Sequence, residues 1–187
     1  FQVHTATPDL ASSGDRQPGA RGIFAGGSPT TGGDTIEYVN ISSTGDAIDF
    51  GNLLATKKYV AGCSSSTRGI SAGGEPGTVD VIEFVTIAST GNATDFGNLN
   101  NGTTYISGCS SETRGIFGGG KQPGFTNQIQ YITIASTGNA QDFGDLTQAR
   151  SNIGAVSSPV RGVFQGGYTP THQNTIDFIT IATTGNA

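Results

Sequence analysis

Apolar residues in this chain come in runs of four to eight, each bounded by Gly, Asn, Ser or Pro. None of the runs has the length or the 3.6-residue period of an amphipathic helix. Each therefore predicts a short strand. The runs recur in a fixed order. An Arg-Gly pair falls at Arg21, Arg68, Arg114 and Arg161, with spacings of 47, 46 and 47 residues. A Thr-Gly pair falls at Thr44, Thr90, Thr137 and Thr184, spaced by 46, 47 and 47, and an Asp-Phe-Gly triplet starts at Asp49, Asp95 and Asp142, spaced by 46 and 47. Three independent landmarks with one period define a repeat. The third unit reads RGIFGGG, a Pro-containing loop, QIQYITIASTGNA, QDFGDL and SNIGAVSS, which predicts four short strands per unit.

The strands are apolar on both faces. In residues 36–41, Ile36 and Tyr38 share one face while Val39 and Ile41 share the other; Ile82, Phe84, Val85 and Ile87 repeat the arrangement. Such a sheet has to be covered on both sides, and a ring of small sheets does this. Gly26-Gly27, Gly73-Gly74, Gly119-Gly120 and Gly166-Gly167 end the second strand type, where positive φ or close approach of another backbone is needed. The expected fold is all-β: a small β-propeller of four four-stranded antiparallel blades in one domain, residues 1–187. The repeat units are approximately 21–67, 68–113 and 114–160, with 161–187 completed by 1–20. Residues 1–5 would join the last blade and close the ring. Residues 1–20 align poorly with the other copies, so a dimer that builds an eight-unit ring is the alternative.

Composition narrows the function. Glycine is abundant at 30 residues, which suits tight turns between strands. Charged residues make up 12% of the chain and the net charge is −5, so no basic patch is available for nucleic acid. No apolar run reaches the length of a membrane-spanning helix, and no signal-peptide pattern opens the chain. Phe1 at the start fits a processed product, a domain cut from a longer protein, or an incompletely known N-terminus.

Few residues invite chemistry. Cys63 and Cys109 occupy one repeat position, which is Val156 in the next copy, as expected of a small buried apolar slot. His4 and His172 have no metal-ligand spacing and read as loop or terminal histidines, with His172 also a weak candidate for ligand contact. Asp46/Asp49, Asn92/Asp95 and Asn139/Asp142 offer too few oxygens for Ca²⁺ and read as turns leading into a strand. Arg21, Arg68, Arg114 and Arg161 recur in every unit, as do Asp49, Asp95 and Asp142 in three. Repetition points to architecture, with the arginines expected to hydrogen-bond the Asp residues. Function is sought where the units differ: residues 28–34, 75–80, 121–127 and 168–174, each with one proline, Pro29, Pro76, Pro123 or Pro170.

The unit resembles a kelch repeat. Gly166-Gly167, Asp177-Phe178, Phe143 and Arg150 stand where that family has its Gly doublet, its aromatic beside an acidic residue, its large aromatic, and its Arg before the innermost strand. It departs in the order of the acidic and aromatic residues, in Phe for Trp, and in carrying that Arg in one copy only. Residues 86–97 and 133–144 also resemble the Gly-rich arrays of marine bacteriophage tail and structural proteins. The kelch resemblance implies that the variable loops share a face with residues 54–58, 100–104 and 147–150. The candidate ligand-binding residues on that face are Tyr168, His172, Phe125, Lys121, Gln122, Glu75, Lys57, Lys58 and Arg150. Together these likenesses imply a non-enzymatic recognition or structural module, extracellular or virion-associated, of the phage tail or fibre type. Its partner would be a host-surface glycan or protein, or another virion protein, with no cofactor or metal. A self-assembling architectural subunit, with a possible homo-oligomer, and a kelch-like enzyme domain are the alternatives.

Overall fold

The computed structural model describes residues 3–5, 21–27 and 33–187, with the backbone alone for 3–5. Among these residues there is no helix, and the chain forms antiparallel sheets in sequence order. Sheet 1 contains β1 (Val3–Thr5), β2 (Arg21–Ala25), β3 (Gly33–Asn40) and β4 (Ile48–Lys57). Sheet 2 contains β5 (Ala61–Ser64), β6 (Arg68–Ala72), β7 (Val81–Thr86) and β8 (Thr94–Asn98). Sheet 3 contains β9 (Ser107–Ser110), β10 (Arg114–Gly118), β11 (Gln128–Thr133) and β12 (Gln141–Asp145). Sheet 4 has three strands, β13 (Gly154–Ser157), β14 (Arg161–Gln165) and β17 (Ile176–Thr180); between the last two lies a ribbon of β15 (Tyr168–Thr169) and β16 (Thr171–His172).

The all-β, four-sheet expectation holds, and the expected closure does not. β1 pairs with β2, Val3 opposite Phe24 and Thr5 opposite Gly22, so the N-terminal strand opens sheet 1 rather than completing sheet 4. It takes the place that β5 takes beside β6. Each sheet thus begins one strand before its Arg-Gly pair, and sheets 1 to 3 end on the Asp-Phe-Gly strand, whereas sheet 4 ends on β17. Phe1, residues 6–20 and residues 28–32 with Pro29 lie outside the described residues, as does the His4 side chain.

The core lies between consecutive sheets. Each sheet has a trailing face, toward the next sheet, and a leading face, toward the previous one. Ile23, Ile36 and Phe50 of sheet 1 pack against Val85 and Ile87 of sheet 2. Ile70, Ile82 and Phe96 pack likewise against Ile132 and Ile134, and Ile116, Ile129 and Phe143 against Ile179 and Ile181. Burying one such side chain contributes about 1.5–3 kcal/mol. Polar bonds repeat at the same three interfaces. The guanidinium of Arg21 donates to the Ile87 carbonyl at 2.8 Å, Arg68 to Ile134 at 2.8 Å and Arg114 to Ile181 at 2.9 Å.

The Gly-Asn-Ala segment of each following unit clamps the outer strand of the sheet before it. Gly91 N–H donates to Phe50 C=O at 2.7 Å and Ala93 N–H to Asn52 C=O at 2.8 Å, while the Asn92 side chain accepts from Asn52 N–H at 3.0 Å. Asn139 and Asn186 repeat this on Asn98 and Asp145. The close approach requires Gly51, whose φ is +148° and whose Cβ would run into the Gly91 carbonyl.

One copy departs from the pattern. Phe117 and Phe164 fill the leading faces of sheets 3 and 4, and the equivalent residue in sheet 2 is Ser71. It lines a small cavity with Ile23, Ala25, Ile36 and Leu53, and its buried hydroxyl has no hydrogen-bond partner. Ser71→Ala removes that unsatisfied group and is expected to raise stability by about 1 kcal/mol, seen as a higher midpoint in thermal denaturation.

Cys63 and Cys109 are buried thiols, each seated where the next sheet carries a glycine. A Cβ on Gly115 would meet the Cys63 sulfur at 2.7 Å, and one on Gly162 the Cys109 sulfur at 2.9 Å. Burial pushes both thiols up, Cys109 to about 12 and Cys63 further, with the neighbouring Cys109 adding to the effect. Since the thiolate is the reactive form, neither thiol is expected to react with an aromatic disulfide reagent at neutral pH until guanidinium unfolds the chain, which absorbance will follow.

Candidate functional site

The Gly doublets and the loops after them build one end of the structure. In each doublet the first Gly has φ near +64° to +71° and the second +87° to +109°. A Cβ on Gly73 would strike the Thr103 carbonyl at 2.5 Å, so the turn needs glycine. Each loop leaving a doublet then pairs with the loop that leaves the outer strand of the previous sheet. Lys58 bridges to Glu75, Thr104 to Lys121, and Ser151 to Tyr168 through antiparallel backbone bonds of 2.7–3.1 Å. The two loop sets predicted to share a face do so wherever they are described.

Aromatic side chains collect on this face. Tyr59 and Tyr105 stack at 4.4 Å between ring centroids. Lys58 lies 5.4 Å over Tyr59 and pairs with Glu75 at 3.4 Å. Burial, then the nearby Glu75 carboxylate and the Tyr59 phenol group, raise the Tyr105 phenol above its ordinary range. A second group joins Phe125 to Tyr168 at 5.8 Å and Tyr168 to His172 at 5.5 Å, with Lys121 5.8 Å over Phe125. Gln122 reaches Thr103 at 3.4 Å. Tyr59, Tyr168, His172 and Lys121 are exposed, and Lys58, Glu75, Tyr105, Gln122 and Phe125 half-buried. Sequence reading missed Tyr59 and Tyr105. Both adopt the left-handed region, φ +58° and +54°, as does Asn152 at the same repeat position.

Lys57 and Arg150 take a different place. Lys57 is 3% exposed and bound to Glu83 at 2.5 Å; Arg150 is fully buried and bound to Asp177 at 2.9 Å and to the Gly166 carbonyl at 2.9 Å. Both are spent inside the molecule and are corrected here from ligand contacts to inter-sheet supports. Their partners share one further role. Glu83 accepts from Leu54 N–H at 2.7 Å, Gln130 from Asn100 N–H at 2.8 Å and Asp177 from Thr147 N–H at 3.2 Å. A β-bulge at Ile82/Glu83 and at Ile129/Gln130 accompanies this inward aim.

The repeated arginines also differ from expectation. Arg21, Arg68 and Arg114 bond the next sheet's Ile carbonyl rather than Asp, and all four, Arg161 included, lie 4.4–4.7 Å over Tyr38, Phe84, Tyr131 and Phe178. Asp49, Asp95 and Asp142 point to solvent. Among the described residues no three His, Cys, Asp or Glu side chains gather as a metal group. The loop face can offer flat apolar rings edged by an ammonium, a carboxylate, an amide and an imidazole, which suits stacking and hydrogen bonding.

Asp177→Ala strands a buried guanidinium and is expected to cost about 3–5 kcal/mol. Arg150→Thr combined with Asp177→Gln copies the Thr103 and Gln130 pair of the neighbouring interface and is expected to recover most of that loss, measured by guanidinium denaturation.

No family model matches the chain, and no curated protein sequence matches it.

Proposed function

We propose that this chain is a non-enzymatic recognition module whose loop face binds a glycan on a cell surface. The sheets serve as blades of a kelch-like propeller arc that presents this face, and the setting is extracellular or on a virion, as in a phage tail or fibre. The observation that carries the reading is the pair of aromatic groups, Tyr59 with Tyr105 and Phe125 with Tyr168 and His172, on loops fastened by inter-sheet backbone bridges. The C–H face of a sugar ring packs on an exposed aromatic ring, and the hydroxyls need donors and acceptors at its rim. Lys58, Glu75, Lys121 and Gln122 supply both. Loops already held in place lose little freedom on binding. The low charge and the Gly, Ser and Thr content suit a weathered outer surface.

Titration with a panel of host-surface oligosaccharides, followed by amide NMR, is expected to shift the loop-face signals. Tyr59→Ala or Tyr168→Ala is expected to weaken binding about tenfold, roughly 1.4 kcal/mol, with the fold unchanged. A panel without any binder, or a ligand that shifts residues away from these loops, overturns the reading.

A further inference from the structure

The three inter-sheet interfaces follow one plan, and parts of a fourth lie exposed on sheet 1 and on sheet 4, which has three strands where the others have four. On the trailing face, Ile36, Ile82 and Ile129 are 0–1% exposed, whereas the equivalent Ile176 of sheet 4 is 66% exposed. Cys63 and Cys109 are buried, whereas Val156 in their place is 58% exposed. Phe178, equivalent to the half-buried Phe84 and Tyr131, is 55% exposed. Arg161 stacks on Phe178, and unlike Arg21, Arg68 and Arg114 its guanidinium reaches no Ile carbonyl. On the leading face, Ile87, Ile134 and Ile181 are 1–5% exposed, whereas Ile41 of sheet 1 is 52% exposed.

We infer that the trailing face of sheet 4 receives the leading face of sheet 1 from a second copy of this chain. The occupant is identified by the internal interfaces. At each of them Ile and aromatic side chains of the trailing face meet Val or Ile and a further Ile, with an Ile carbonyl set to accept from Arg, and at two of them a Cys seats against a bare glycine. Sheet 1 carries that set as Val39, Ile41 and Gly22, so Ile176 and Phe178 meet the first two, Val156 seats against Gly22, and Arg161 donates to the Ile41 carbonyl. The contact joins two different faces, so it is head to tail, and two copies carry eight sheets. Single exposed apolar residues are ordinary, but Val156, Ile176 and Phe178 lie exposed together on one face, at positions that are covered in the other sheets.

The test is the mass of the chain in solution by sedimentation, with Ile176→Asp and Ile41→Asp as variants. Neither side chain supports the fold, because both are exposed; far-UV circular dichroism checks this. Wild type is expected to sediment as a concentration-dependent dimer, and each variant as a monomer. A one-to-one mixture of the variants is expected to restore association, because each supplies the face the other has lost. A wild-type monomer overturns the inference. If the Ile41 and Ile176 amides of that monomer are protected from hydrogen exchange, the two faces close on each other within one chain. An oligomer indifferent to either substitution, or variants that stay monomeric when mixed, overturns it too.

Discussion

A sheet with Ile on both faces cannot remain in water, and this requirement organises the whole molecule. No sheet here has enough strands to form a core by itself, so the apolar side chains are buried only when one sheet meets the next. Fold stability therefore belongs to the interfaces, as in other repeat arrays whose units contact only their neighbours. The bonds at each interface fix more than proximity. The arginine pin sets the middle strands against each other, and the Gly-Asn-Ala clamp fastens the outer edge. Each apolar contact is thereby held in one register.

The buried polar residue at positions 83, 130 and 177 shows which part of the interface is essential. Two of the three carry a carboxylate with a buried cation, Lys57 or Arg150, and the middle one carries Gln130 without any. What all three share is acceptance of a backbone N–H from the loop of the previous sheet. An unmet buried amide is costly, so the acceptor is required. The cation is needed only where the acceptor brings a charge. Buried ion pairs contribute little on balance, in keeping with the Gln130 interface being built without one.

Much of this was legible in the sequence because the signals are local. Strand length, the Gly doublets, the repeat and the variable loops all follow from residues within one unit. What was hidden depends on residues from two units. Lys57 and Arg150 read as exposed because they are charged and sit in loops, while their partners lie 26 and 27 residues away in another sheet. Asn92 and Asn139 read as local turns, although their amides reach back about 40 residues. The start of the first sheet was missed for a related reason: Val3-His4-Thr5 shares no motif with Ala61–Ser64 or Ser107–Ser110, and only the pairing reveals its equivalence.

The loop face shows scaffold and site meeting in single residues. At positions 59, 105 and 152 the chain must take the left-handed conformation in three successive units. Asn tolerates that conformation well, and Asn152 is the least strained choice. A bulky Tyr holds it at a cost of about 1–3 kcal/mol, so nothing in the backbone calls for Tyr59 and Tyr105. Their side chains do not fill the core either: neither belongs to a core cluster, Tyr59 is 48% exposed and Tyr105 half-buried. What the tyrosines add is an aromatic surface outside the fold, set by backbone bridges that already hold the sheets together. The strain is thus placed where the inter-sheet bridges hold the backbone and where the Tyr59 ring stays open to solvent.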